Sequence, residues 1–227
     1  MFKDRREAGK LLAIAIAEAV TNAPQTRPIR TVVVGIARGG VIVAKEVSSM
    51  LCAPLTLTVA KHINSPQEPD IPVGAVSSRG TLVLSHTFDE SVEGLPSYVR
   101  NQQMQLSRLN KTLEKHWLDE AQYQPPSMAN KRVVVVSDCC VTGLLEMATL
   151  RTLKEDHPNQ MILGSPVMSQ QARYLLESEC QMVIALQIPA SLNGAMQFYG
   201  SFPHVEDSEI VDAIKAANRH GSSAMRE

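Results

Sequence analysis

Val133 to Val136 form an apolar run with no polar interruption, and Thr31 to Ile36 and Pro54 to Ala60 are nearly as continuous. Runs that do not alternate suit strands covered on both faces. Shorter candidates lie at Gln160 to Leu163 and Gln181 to Gln187. Between them the spacing turns helical. Phe2 to Val20 sets Ala8, Leu11, Leu12, Ala15 and Ile16 on one face, with Asp4 as cap and Glu7 three residues on. Val41 to Leu51, a segment opening at Leu144, Ser169 to Glu177, and Asp207 to Ala217 also read as helices, the last capped by Asp207 or Ser208. Pro96 to Leu118 predicts a long helix with Val99, Met104, Leu106, Leu109, Leu113 and Trp117 as its apolar contacts. Alternating strands and helices predict an α/β fold: a doubly wound, mainly parallel sheet flanked by helices. Strands at 31–36, 54–60, 133–137 and 161–163 are expected to run parallel in one sheet.

The remainder is punctuation. Val73 to Ser77 and Thr81 to Ser85 flank Ser78-Arg79-Gly80 as a small hairpin or hood region. Lys61 to Pro72, polar and carrying Pro66, Pro69 and Pro72, is expected to be a loop. Thr21 to Arg30, Gln122 to Asn130 and Ile188 to Met196 are further loops, and His86 to Gly94 is a candidate lid. Fraying is expected over about 219–227.

Composition narrows the class without naming a chemistry. The 227 residues, 44% hydrophobic and 20% charged, fit one globular domain spanning 1–227. A net charge of −1 supplies no global pull toward nucleic acid or membrane, and neither is expected as a partner. Asp4, Glu7 and Glu18 interrupt any secretory pattern, so a cytoplasmic location is expected. The four cysteines lack CxxC or zinc spacing and are expected to be free thiols.

Chemistry concentrates in two turns. Ser137-Asp138-Cys139-Cys140-Val141-Thr142-Gly143 follows the valine strand and precedes a helix. Strand, small-residue turn and helix aim backbone N–H groups and a helix dipole at an anion. Asp138 can accept from ligand hydroxyls and Thr142 can donate to a phosphate oxygen. A ribose-phosphate site is the resulting expectation. Ala37-Arg38-Gly39-Gly40 follows the first strand: the glycines permit close approach, and Arg38 suits phosphate oxygens. A lone RGG would read as an ordinary turn with a solvated arginine; beside a second phosphate-type loop the functional reading is favoured. A dinucleotide fold is disfavoured, because Gly35, Gly39 and Gly40 do not form GxGxxG. Cys139 and Cys140 have no base beside them in the sequence and suit burial.

These motifs resemble those of the type I phosphoribosyltransferases, nearest to a bacterial subgroup. The resemblance extends to Phe2-Lys3-Asp4-Arg5-Arg6-Glu7-Ala8-Gly9, to Lys61-His62-Ile63-Asn64-Ser65-Pro66 with Glu68 and Gly74-Ala75-Val76, and to Phe198-Tyr199 with Phe202, Val205, Asp207, Glu209 and Val211. It implies transfer of the phosphoribosyl group of phosphoribosyl pyrophosphate to a nitrogen nucleophile, with magnesium bridged by the substrate and a homodimeric assembly. It assigns pyrophosphate to Ala37, Arg38, Gly39 and Gly40 with Lys61, ribose to Ser137 and Asp138, and the 5′-phosphate to Cys139 through Gly143. Arg38, Lys61 and Asp138 would be the catalytic side chains. For Lys61 a solvated position on the rim is an equal alternative, and His62 and His86 suit surface or packing roles. The pattern departs from the family at Ser137, where a first acid is expected, and at Leu145, where a threonine is expected. A catalytically silent protein binding a nucleotide or ribose phosphate is the alternative these departures leave open.

Overall fold

A computed structural model describes residues 1–22, 29–86 and 88–219. In chain order the elements are α1 (Arg5–Asn22), β1 (Thr31–Ile36), α2 (Gly39–Leu51), β2 (Leu55–Thr58), β3 (Ala60–Asn64), β4 (Pro72–Ser77), β5 (Leu82–Leu84), α3 (Leu95–Glu120), β6 (Arg132–Val136), α4 (Leu144–Lys154), β7 (Gln160–Val167), α5 (Gln170–Leu176), β8 (Met182–Gln187) and α6 (Asp207–Asn218). Most of the loop expected at 21–30, and all but Arg219 of the expected frayed end, lie outside the described residues.

Five strands form a parallel sheet in the order β2-β1-β6-β7-β8. The valine runs show why both faces are covered. Val33, Val134 and Val136 join a core with α1, α2, α6 and Trp117 of α3. Their neighbours Val32, Val34, Val133 and Val135 point the other way, into a core with Leu144, Ala148, Leu150 and Leu153 of α4. Period-two geometry thus splits one apolar run between two cores. Asp4 caps α1 as expected, its Oδ1 accepting from Glu7 N at 2.9 Å.

Three boundaries differ from the sequence-based expectation. The strand expected at 54–60 breaks at Val59, whose N–H is taken by Glu114 Oε2 of α3 at 3.2 Å. Beyond the break, residues expected to be loop form β3, which pairs antiparallel with β4, Lys61 facing Val76 and His62 facing Ala75. With β5 this makes a separate three-stranded hood. At the far end, Glu206 rather than Asp207 or Ser208 caps α6, in a capping box with Glu209, because Asp207 is held by Arg38. β7 also runs past Leu163 to Val167, pairing with β8 through Val167 and Gln187. Among the described residues no helix is long and apolar enough to cross a membrane.

Candidate functional site

β1 and β6 are parallel neighbours, Val33 opposite Val134, so the turns that follow them open side by side at the same edge of the sheet. Two glycines make that closeness possible. A Cβ on Gly40 would lie 2.6 Å from Val136 O, and one on Gly39 would lie 1.8 Å from Asp138 Oδ2. Side chains at either position would push the turns apart. The Ala37–Arg38 peptide is cis. Arg38 contributes its backbone to this turn, but its side chain leaves it. Nη1 pairs with Asp207 and donates to Val205 O at 3.0 Å, while the guanidinium lies 5.1 Å from the Trp117 ring centroid.

The loop after β6 is tied down from several directions. Ser137 Oγ donates to Glu146 Oε1 at 2.7 Å, with Cys139 O 3.1 Å away. Asp138 Oδ2 accepts from Arg5 Nε at 2.8 Å, and Asp138 O accepts from the Tyr199 hydroxyl at 2.6 Å. Cys140 N donates to Val167 O, and Ser169 N and Oγ donate to Cys140 O and Val141 O. Gly143, at φ 80°, then turns the chain into α4, a conformation that costs other residues free energy. Among the described residues no acceptor meets the backbone N–H groups of Val141 and Thr142. Unpaired amides at the mouth of a helix suit an anion. Leu145 packs against the apolar core beside α4 and offers no donor.

Burial sets the ionisation here. It pushes the wholly buried Glu146 carboxyl up, with the Ser137 bond opposing. It also pushes the Cys139 thiol up to about 12, helped by the negative Asp138 and Glu146, and raises Cys140 further. Neither cysteine is a thiolate near neutrality, in keeping with their expected packing role. The Tyr199 hydroxyl is likewise raised by burial.

The hood closes over this loop. His62 Nε2 lies 3.4 Å from Thr142 Oγ1, and burial lowers the imidazole's affinity for a proton. Strand alternation puts Lys61 on the other face of β3, with Ile63, which packs against Leu95 and Val99 of α3. The structure therefore brings His62 to the loop and leaves the Lys61 side chain on the α3 side. A cavity of about 870 Å³ adjoins the loop, lined by Val141, Thr142 and Leu144, by Leu84 to His86 of the hood, by Ser169 to Gln171, and by Pro189 to Leu192. Among the described residues no lysine, arginine, aspartate or glutamate lines it.

Residues 3–195 match the family model of the phosphoribosyl transferase domain. The chain belongs to that family. A crystal structure of TT1426 from Thermus thermophilus has the same fold, with a TM-score of 0.74 and 26% identity over 95% of this chain and 98% of that one. Two Mycobacterium tuberculosis sequences named as phosphoribosyl transferases, from strains CDC 1551 and H37Rv, are each 26% identical across 99% of this chain. The match covers 48% of their length, so the chain spans about half the length of the curated relatives it matches.

Within this phosphoribosyl transferase fold, three side chains at the turns went unassigned in the sequence. Arg5 sits within the Phe2-to-Gly9 similarity, but only the fold shows it reaching Asp138. Glu146 reads as an ordinary first-turn acid of α4, although it is 2% exposed. His62 lacks any neighbouring carboxylate signal. Among the described residues no group of three or more His, Cys, Asp or Glu could hold a metal ion by itself. Asp138, whose carboxylate lies at the junction of the two turns, would fit magnesium that is held mainly by substrate oxygens.

Proposed function

We propose that the chain transfers the phosphoribosyl group of phosphoribosyl pyrophosphate to an uncharged, nucleobase-like nitrogen nucleophile. The observation that carries this reading is the apposition of two anion-type turns, 37–40 and 137–143, the second beside a cavity that no described lysine, arginine, aspartate or glutamate lines. The Gly39 and Gly40 amides, at the N-terminus of α2, face the pyrophosphate. Asp138 accepts from the ribose hydroxyls through Oδ1, which meets no donor among the described residues. The Val141 and Thr142 amides and the Thr142 hydroxyl take the 5′-phosphate, along with the amides of Cys139 and Gly143; the Cys140 amide, expected to join them, is instead held by Val167 O. The nucleophile occupies the cavity.

Displacement at the anomeric carbon builds positive charge on the sugar and negative charge on the leaving group, so fixed donors at the pyrophosphate matter more than a strong base. Magnesium, when bound with the substrate, supplies electrostatic support to that leaving group. Arg38 belongs to the proposal as a rim cation whose side chain would turn toward the ligand, whereas Lys61, on the α3 face of β3, is assigned no contact. The homodimer implied by the family resemblance and the assignment of 1–227 to one domain are parts of the same proposal.

A second reading, ligand binding without turnover, draws on two contacts. Ser137 points its hydroxyl at Glu146, and Arg5 occupies one oxygen of Asp138. One missing charge-assisted bond is worth about 1.5–3 kcal/mol, or roughly 10- to 150-fold in rate if it acts in the transition state. Calorimetry with phosphoribosyl pyrophosphate and magnesium tests the donor site without knowing the acceptor. Pyrophosphate release with a panel of neutral heterocycles then separates the two readings. No binding of the donor sinks the first reading, and no binding of ribose 5-phosphate or a nucleotide sinks the second.

A further inference from the structure

At these two turns the cation that faces the site is Arg5, contributed by the first residue of α1, whereas Arg38 is committed elsewhere. Arg38 is balanced by Asp207 and held by Val205 O, on the side of Trp117. Arg5 lies where the turns meet. A Cβ on Gly39 would fall 2.5 Å from Arg5 Nε and 1.8 Å from Asp138 Oδ2, so the ion pair rests directly on the Gly39 backbone.

The guanidinium is also held in place. Its face stacks on Phe202, 3.6 Å from the ring centroid, and Nη1 donates to Pro203 O at 2.7 Å. The side chain is only 10% exposed. A guanidinium is a planar fork in which Nε and Nη2 share one edge and Nη1 points to the other. Nε is on Asp138 and Nη1 is on Pro203, so the edge toward Asp138 also carries Nη2. Among the described residues nothing accepts from Nη2.

We propose that Arg5 binds the pyrophosphate group of the donor through Nη2 of its guanidinium, while Nε keeps Asp138 oriented toward the ribose. The inference rests on the phosphoribosyltransferase reading above. It gives the ion pair two uses at once. Asp138 would otherwise repel the anion bound on Gly39 and Gly40, and Arg5 offsets that charge at the point of contact. A pre-ordered arginine also loses little side-chain freedom when the ligand arrives.

The test compares three ligands by calorimetry in the presence of magnesium: pyrophosphate, phosphoribosyl pyrophosphate and ribose 5-phosphate. Arg5→Gln should weaken the first two about tenfold or more and ribose 5-phosphate only about threefold, the smaller loss coming through the loosened Asp138. Arg38→Gln should lose less pyrophosphate affinity than Arg5→Gln. If Arg5→Gln does not fold in a thermal melt, Arg5→Lys, which keeps the charge but not the fork, is read in its place. It should show a several-fold loss confined to the two pyrophosphate-bearing ligands. Equal loss for all three ligands would mean a purely structural arginine, and no loss would mean no role; either overturns the proposal. A pyrophosphate-specific loss in Arg38→Gln alone also overturns it. Wild-type protein that binds none of the three ligands removes the functional reading itself, and this inference with it.

Discussion

Ser137 Oγ donates to Glu146 Oε1 at 2.7 Å, nine residues further along the chain, and both residues are buried. The serine stands where the family pattern calls for an acid, and an acid is present after all, in the first turn of α4 and behind the loop. Replacing Ser137 by Asp therefore does not simply restore a motif. It sets a second carboxylate against a buried one, and two such groups cannot both ionise cheaply. Ser137→Asp alone should cost about 2 kcal/mol or more, read as a fall of roughly 5 °C in thermal midpoint. Adding Glu146→Gln should recover most of that loss, since the amide can donate to the new carboxylate. Additive destabilisation in the double variant would show that the two positions are not coupled.

Asp138→Asn should act on both binding and stability. The change leaves Arg5 without its counter-charge in a site that is 10% exposed on one partner and 20% on the other. Breaking a fully buried pair costs about 3–5 kcal/mol, and partial exposure lowers the expectation here to about 2 kcal/mol. Donor affinity should fall about tenfold. Denaturant titration and calorimetry read the two effects separately, and unchanged donor affinity in a folded variant would remove Asp138 from the site.

Gly39→Ala is a sharper probe of the same junction. Its methyl group would have to displace the Asp138 carboxylate and Arg5 Nε together. Overpacking of this kind costs about 1–3 kcal/mol, and the displaced pair should no longer meet a donor. The expected outcome is a folded protein with lower melting temperature and no measurable binding of phosphoribosyl pyrophosphate. Wild-type affinity in this variant would mean that the ligand lies away from Gly39.

The sheet was readable from the chain because apolar runs decide it locally. Val133 to Val136 need only know that both faces are covered. The hood strand β3 was not readable, since Lys61-His62-Ile63-Asn64 has no apolar alternation and gains its strand form from pairing with β4. The turns were readable as tight junctions after strands, because adjacent glycines there allow the close backbone approach seen at Gly39 and Gly40. Their charges were not. Arg5 and Asp138 are 133 residues apart, and Arg38 is drawn off by Asp207, 169 residues away. No local pattern encodes such pairs; they follow from where α1 and α6 dock on the sheet.

His62 makes a prediction about pH. Burial holds its folded-state proton affinity below that of the unfolded chain, whose value is about 6.5. The unfolded state then binds more protons as the pH falls, so stability should be full above about 6.5 and decline below it. Urea midpoints taken between about pH 5 and pH 8 should show this slope in the wild type and a weaker one in His62→Gln. Identical slopes would assign the effect to other groups.

The last prediction concerns the cavity beside Thr142. Its lining combines aliphatic side chains such as Leu84, Val141 and Leu144 with Gln170, Gln171 and His86, and among the described residues no lysine or arginine. Burying a carboxylate there would cost several kcal/mol without a compensating cation. Acceptors that carry a carboxylate should therefore be rejected in favour of neutral heterocycles of the same size. A cation added to the rim should reverse the preference, and exposed Gln171 can be changed without disturbing the core. Gln171→Lys is expected to leave the thermal midpoint within about 2 °C of the wild type. It should improve the carboxylated acceptor relative to the neutral one by about tenfold, a discrimination of about 1.4 kcal/mol. The ratio is measured as pyrophosphate release with each acceptor at fixed donor concentration. In a protein that binds the donor without turnover, calorimetry with the matching nucleotides gives the same ratio. A wild-type preference for the carboxylated acceptor would place the nucleophile outside this cavity, and an unchanged ratio in Gln171→Lys would exclude the α5 side of its rim.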